Sequence, residues 1–188
     1  MRKLYNFMIL MIGILSTSIQ AQTLHYGIKA GYNAANIGGD VDNSKTLSAF
    51  HVGLLVEVAL SDQFSLQPEV LYSAQGAKFN SNRESNIDYV NVPILVKYYF
   101  IDGFSVEAGP QIGFLTKSED KINGQTIDYK DETKGVDFSI PVGLSYRFPI
   151  NIFASLRYAF GLSNFNDLES SNYKMNHQVF QASVGYRF

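Results

Sequence analysis

The sequence predicts an all-β fold, an eight-stranded antiparallel up-and-down transmembrane β-barrel. Three observations carry the prediction: an apolar period of two from Leu24 to Phe188, turn signals that alternate between tight and long, and a second strand face made of small polar residues. The last strand shows the period most plainly. Phe180, Ala182, Val184, Tyr186 and Phe188 fall on one face, and Gln181, Ser183, Gly185 and Arg187 on the other. Successive side chains point to opposite sides along a β-strand, so this spacing defines a strand with two chemically distinct faces.

The first 21 residues stand apart. Arg2 and Lys3 form a basic start, Leu4 to Leu15 is a short apolar run, and Ser16, Thr17 and Ser18 lead to a cleavage site after Ala21. This is the layout of a secretory signal peptide, too short to span a bilayer as a retained helix. Residues 1–21 are therefore expected to be cleaved and residues 22–188 to form one barrel domain in the outer membrane of a diderm bacterium. The chain has no cysteine, which excludes disulfides and a lipid anchor on a cysteine. Its formal charge is −2, and loss of Arg2 and Lys3 makes it more acidic, so no electrostatic footprint for nucleic acid exists.

Eight strands follow in order: Leu24–Asn36, Leu47–Leu60, Phe64–Lys78, Asp88–Phe100, Phe104–Lys117, Val136–Phe148, Ile152–Asn164 and His177–Phe188. Ser61-Asp62-Gln63, Ile101-Asp102-Gly103 and Pro149-Ile150-Asn151 supply tight turns between the second and third, fourth and fifth, and sixth and seventh strands. The other links, around residues 37–46, 79–87, 118–135 and 165–176, are long and rich in Asn, Asp, Ser, Gly and Lys. Short turns at one end and long loops at the other are the asymmetry of outer-membrane barrels, and they put both termini on the periplasmic side. Pro93, Phe100, Phe104 and Gly113 recur 48 residues later as Pro141, Phe148, Ile152 and Gly161, the mark of a duplicated hairpin. Pro68, Pro93, Pro110 and Pro141 each remove a ladder donor, and bulges are expected there.

Alternation alone does not say which face is inside. A soluble lipocalin-like barrel encloses its apolar face; a membrane barrel turns it to lipid. The polar face decides, because it carries Gly27, Gly31, Gly53, Gly109, Gly113, Gly143, Gly161 and Gly185 with Ser65, Ser73, Ser139, Ser145, Ser155 and Ser183. A solvated face has no need to be small, whereas the crowded interior of an eight-stranded barrel does. Phe64, Tyr98, Phe100, Phe104, Tyr146, Phe148, Tyr186 and Phe188 gather at the short-turn ends, and Tyr32, Phe50, Tyr72, Phe114 and Phe160 towards the other ends. Two aromatic belts around a band of Val, Leu, Ile and Ala match interfacial girdles.

Three stretches carry a family likeness: Leu66-Gln67-Pro68-Glu69-Val70-Leu71-Tyr72-Ser73-Ala74-Gln75-Gly76, Tyr89-Val90-Asn91-Val92-Pro93-Ile94-Leu95-Val96-Lys97-Tyr98, and Arg157-Tyr158-Ala159-Phe160-Gly161-Leu162-Ser163-Asn164. Together they resemble the PorT-like outer-membrane β-barrel proteins of Bacteroidetes, over essentially the whole mature chain. The resemblance implies the fold and the membrane and names no ligand. Phe188 is similar to the C-terminal aromatic by which barrel-assembly machinery recognises its clients, and that machinery and outer-membrane lipid are the expected partners.

Register places Lys29, Glu57, Glu69, Lys97, Glu107, Arg147, Arg157 and Arg187 inward, mostly in the periplasmic half. Five cations facing three carboxylates are expected to interlock as a charge network that fills the lumen and fixes strand register; the other reading is an ion-lined path for small solutes. Only Leu55, Leu71, Leu95 and Leu115 are inward leucines, too few for an apolar conduit. His51 and His177 flank the first strand near the long-loop end, roughly 10 Å apart, with Asp88 and Asp137 at the same end. A His–carboxylate base would need one of these pairs in contact. No nucleophile elbow, metal-ligand spacing or phosphate loop accompanies them, and His25 sits at the opposite end, so neither enzyme activity nor a metal or other cofactor is expected. The loop Ser118–Gly135 mixes Glu119, Asp120, Lys121, Asp128, Lys130, Asp131, Glu132 and Lys134, and Asn164, Phe165, Asn166 and Tyr173 offer an aromatic platform. Long loops on a rigid scaffold leave room for an envelope or extracellular protein partner. The sequence thus points to a non-catalytic barrel, structural or partner-binding, with a narrow channel as the alternative.

Overall fold

The computed structural model describes residues 23–39, 45–80, 83–122, 125–129, 134–163 and 175–188. The expected signal peptide and the platform of Asn164, Phe165, Asn166 and Tyr173 lie outside them. Among the described residues, ten strand elements run in chain order: β1 (Leu24–Gly39), β2 (Lys45–Ala59), β3 (Phe64–Asn80), β4 (Arg83–Ile101), β5 (Phe104–Ala108), β6 (Gln111–Ile122), β7 (Gln125–Asp128), β8 (Val136–Arg147), β9 (Ile152–Gly161) and β10 (Met175–Arg187). β5 and β6 are two lengths of one stave, separated by Gly109 and Pro110, and β7 pairs only with the far end of β6. The remaining pairings are all antiparallel and close a ring of eight staves, sealed by β1 against β10 from Gly27↔Arg187 to Gly39↔Met175. Closure removes the free edge, which is what allows a sheet to stand in a medium with no water to bond its backbone.

The tight turns sit where expected. Gly103 (φ 76°) and Asn151 (φ 63°) take the left-handed backbone that reverses the chain, a conformation Gly and Asn tolerate best. At the first turn the Ser61 hydroxyl accepts the Phe64 amide at 3.1 Å.

The long links are shorter than the sequence suggests. β3 and β4 run on to Asn80 and Arg83, and much of the expected loop 118–135 is strand, as the end of β6 and as β7. β3 and β4 have 17 and 19 residues, and at about 3.3 Å per residue each far exceeds an apolar band of about 25 Å. Apolar alternation stops where lipid stops. Backbone pairing needs no lipid and continues through polar residues such as Ser85, Asn86, Glu119 and Asp120.

The expected bulges at the four prolines are absent. Register is constant across Pro68 and Pro93 between β3 and β4, across Pro110 between β4 and the β5–β6 stave, and across Pro141 between β8 and β9. The shifts fall instead at Thr46/His51, Lys78/Asn80, Asp88/Tyr89 and Tyr99/Ile101. Each proline gives up its own bond, and Pro110 and Pro141 keep their carbonyls in use: Ile94 N–H donates to Pro110 O at 2.9 Å and Gly109 N–H to Pro141 O at 3.3 Å. A closed barrel tied from inside loses one bond more readily than it shifts a stave.

The molecule is inside out relative to a soluble domain. Large apolar residues such as Phe50, Leu54, Val70, Phe138, Leu156 and Val184 are exposed on the outer wall, while all six face-defining serines are buried within. Rings at the short-turn end touch in series: Phe64–Tyr98, Phe100–Phe104, Phe104–Tyr146, Tyr146–Phe148 and Tyr186–Phe188, at centroid separations of 4.8–5.8 Å. At the other end Phe50 stacks on Tyr72, and Tyr32 shares a hydrogen bond with Ser48. Inside, Leu55, Leu71 and Leu95 are buried as expected, Leu115 is half-buried, and Leu47, Ile87, Tyr89, Phe153 and Val179 join the interior.

Candidate functional site

The interior charges form one continuous chain across the lumen. Arg157 on β9 reaches Glu69 on β3 with two parallel bonds, Nη1 to Oε2 at 2.8 Å and Nη2 to Oε1 at 2.7 Å. β3 and β9 lie four staves apart in a ring of eight, so this fork spans the barrel's full width. The Arg157 Nε–H turns the other way and donates to Glu107 on β5. Lys29 on β1 donates to Glu69 at 3.4 Å, and the Gln67 amide supports the same carboxylate at 2.5 Å. Lys97 on β4 lies 3.8 Å from both Glu107 and Glu57, and donates to Gln67 Oε1 at 3.1 Å. Glu57 on β2 then accepts from Arg187 on β10 at 3.0 Å and from the Tyr99 hydroxyl at 2.6 Å.

Seven of the eight expected charges therefore meet, and each is at most 7% exposed. Arg147 does not join them. Its side chain is 34% exposed at the short-turn rim, lies over the Tyr99 ring at 5.6 Å, and pairs with the fully exposed Asp102 at 3.6 Å. β8 contributes no ion to the chain but contributes an opening in it. Gly143 stands between Arg157 and Glu107 in register, and a Cβ there would lie 2.7 Å from Arg157 Cγ. The same Cβ would lie 2.4 Å from Leu156 O, so the close approach of the β9 backbone together with Arg157 is why this position is glycine.

Buried ions cost desolvation, which is offset only when partners and hydrogen bonds are close at hand. Here bidentate guanidinium geometry and neutral amide donors supply them. Gln67 and Tyr99 are the members that charge-based reading missed. Their signal was present in the sequence: both share the inward parity of Glu69 and Lys97.

Above the ions lies a neutral layer. Asn33 donates to Ala74 O at 2.8 Å, Phe50 O at 3.1 Å and Ser73 Oγ at 2.9 Å, which fixes its Oδ1 as the acceptor for His51 Nδ1–H at 2.7 Å. Gln181 also donates to Asn33 Oδ1, and His51 Nε2 meets Ser183 Oγ at 2.8 Å. His51 is thus held by an amide and a hydroxyl, with no carboxylate in hydrogen-bond contact. His177 packs edge-on to Tyr89. The two histidines are not the neighbours that the sequence suggests: His51 stands opposite Gly31 and His177 opposite Ile37. Six residues of offset along β1 is roughly 20 Å. Asp88 accepts from the Tyr72 hydroxyl at 2.6 Å and Asp137 from Ser163. Among the described residues no group of three or more His, Cys, Asp or Glu could hold a metal ion.

A closed ring with a polar, ion-bridged interior and an apolar exterior bounded by aromatic belts defines an integral outer-membrane β-barrel. The sequence matches the outer membrane protein beta-barrel domain over residues 20–167, and the chain belongs to that family. Among solved structures, Neisserial surface protein A superposes with a TM-score of 0.62 at 10% identity, covering 90% of this chain and 100% of that one. Ail, the attachment invasion locus protein of Yersinia pestis, superposes with a TM-score of 0.55 at 15% identity, covering 87% and 98%. At such identities the likeness is one of fold. No curated protein matches the sequence.

Proposed function

We propose that this protein is a non-catalytic outer-membrane barrel whose lumen is closed by an ionic plug, and that it acts as a structural or partner-binding component of the envelope. The observation that carries this reading is the fork of Arg157 on Glu69, which joins opposite walls while Glu107 holds the same guanidinium from the side. A solute would have to part these ions. With the interior committed to stability, the surfaces left for recognition are the long-loop and short-turn rims, where an envelope or extracellular protein would bind.

The refolded protein in a planar bilayer tests the plug. Wild type is expected to stay silent, with current appearing in Glu69→Ala or Arg157→Ala. Steady wild-type current would sink the plug and support a narrow channel for small solutes. That second reading has its own footing: cavities of about 10 Å³ lie within the lumen, one among the lower ions by Gln67, Lys97 and Arg187 and one above them by Gln75, Asn91 and His177. Each is the size of about one water.

The narrower PorT-like assignment rests on the three stretches at Leu66–Gly76, Tyr89–Tyr98 and Arg157–Asn164. The role of Phe188 in recognition by the assembly machinery rests on its exposed ring, which packs edge-on to Tyr186 on the outer face. Phe188→Ser is expected to leave unassembled protein in the periplasm while refolding normally in detergent; equal membrane yields would remove that role.

A further inference from the structure

The short-turn mouth opens into a vestibule of about 440 Å³ whose polar floor is the lower end of the ionic chain. That volume lies within the range of small-ligand sites. Its charge is uneven. Glu57, the carboxylate at its base, is fully engaged by Arg187, Lys97 and the Tyr99 hydroxyl. Arg187 spends one N–H on Glu57, and its Nε is buried with no hydrogen-bond partner. Arg147 faces the same space, and its carboxylate, Asp102, is fully exposed and 3.6 Å away. An exposed pair at that distance is held weakly and exchanges readily with solvent ions. Asp62, on the exposed turn, and His25 complete the titratable lining.

Arg147, over the Tyr99 ring, and Arg187, on Glu57, thus face one space above a carboxylate already neutralised. We propose that this vestibule is a binding site for a small periplasmic anion bearing a carboxylate or phosphate group, which Arg147 and Arg187 grip from two sides. Planar guanidinium forks match the paired oxygens of both groups. Asp102 occupies Arg147 until the ligand arrives and is displaced into water. Lys97 stands behind Tyr99, 5.4 Å from the ring centroid, and adds positive field without touching the ligand. The site stands on the vestibule alone and holds whether or not the lumen conducts.

Side-chain NMR of the refolded protein, titrated with inorganic phosphate or with succinate at fixed ionic strength, tests the site. The Nε–H signals of Arg147 and Arg187 are expected to shift and saturate while that of Arg157 stays in place. Arg147→Gln, at the exposed rim, should weaken binding by about tenfold, the loss of one charge-assisted contact. Asp102→Asn should tighten it, because the internal competitor is gone. Saturation by phosphate alone or by succinate alone identifies the class of the natural ligand. Shifts that match those from sodium chloride, or an affinity unchanged in Arg147→Gln, would overturn the proposal.

Discussion

The two sides of this barrel wall are built to different standards. The ladders that join β8 to β9, β9 to β10, β10 to β1 and β1 to β2 run without a register shift. Every shift falls on the other side, among β2, β3, β4, β5 and β6. All four intramembrane prolines fall there or at its border. Pro68 and Pro110 flank Ile94 in one row, and Pro93 and Pro141 lie in the rows immediately beside it. Four successive strand interfaces therefore each lose a ladder bond at one height. The ionic chain crosses at this level. Glu69, Lys97 and Glu107 stand on the irregular side, and Lys29, Arg157 and Arg187 on the regular one. The charges do more than fill space: they tie the wall that lacks backbone bonds to the wall that has them.

Cutting that tie should have the largest effect. Arg157→Ala leaves Glu69 and Glu107 buried without their shared cation and should cost about 3–5 kcal/mol in urea unfolding in micelles. The irregular side should loosen first, so amide exchange should rise more in β3 and β4 than in β1 and β10. A uniform rise would show that the ions fill the lumen without linking its halves. Arg157→Met with Glu69→Leu, Glu107→Leu and Lys29→Met, the last because Glu69 is the carboxylate that Lys29 pairs with, separates these effects further. It replaces this cluster by apolar side chains and leaves Lys97 on Glu57, and stability close to wild type is expected if the cost of the single variant is that of orphaned charge.

Gly143→Val is the next step down. A branched side chain would occupy the ground on which Arg157 lies, at a Cβ position 2.7 Å from its Cγ. Overpacking of this kind costs about 1–3 kcal/mol, and here it should push the guanidinium off Glu107. Gly161→Val is the matched control: a Cβ on either glycine would face the backbone of the next strand, Leu156 O at 2.4 Å and His177 O at 2.5 Å, and of the two only Gly143 also faces Arg157. If both variants open the lumen to current equally, the special position of Gly143 beneath Arg157 is wrong.

The sequence made the wall legible and left its ties illegible, for physical reasons. Alternation is a local property, so strand count, facing and belts follow from residue type alone. Which inward ions meet depends on distances across the lumen. Lys29, Glu57, Glu69, Lys97, Glu107, Arg157 and Arg187 could be named, but the pairing of Arg157 with Glu69, 88 residues apart, needs the closed ring. Arg147 shares the inward parity and yet sits at the rim, because its place at the end of β8 leaves it outside the last layer of packing. The histidine estimate failed on height: strand adjacency is local, whereas the vertical offset of His51 and His177 is set by the register of β10.

The smallest expected effect discriminates the two sides most finely. Pro110→Ala returns an N–H opposite Ile94 O, whose partner amide already donates to residue 110 at 2.9 Å. The restored bond contributes about 0.5–1.5 kcal/mol, and the loss of proline's stiffening of the unfolded chain offsets about 0.4–1 kcal/mol of that. Global stability should therefore hardly move. Local protection should: amides of β4 and β6 beside the row should exchange more slowly, approaching those of β1 opposite β10. The same change in an Arg157→Ala background should recover more stability than in wild type, because the irregular wall would then depend on its own ladder. Equal gains in both backgrounds would mean that the prolines and the ions act independently, and the unequal wall would then owe nothing to its plug.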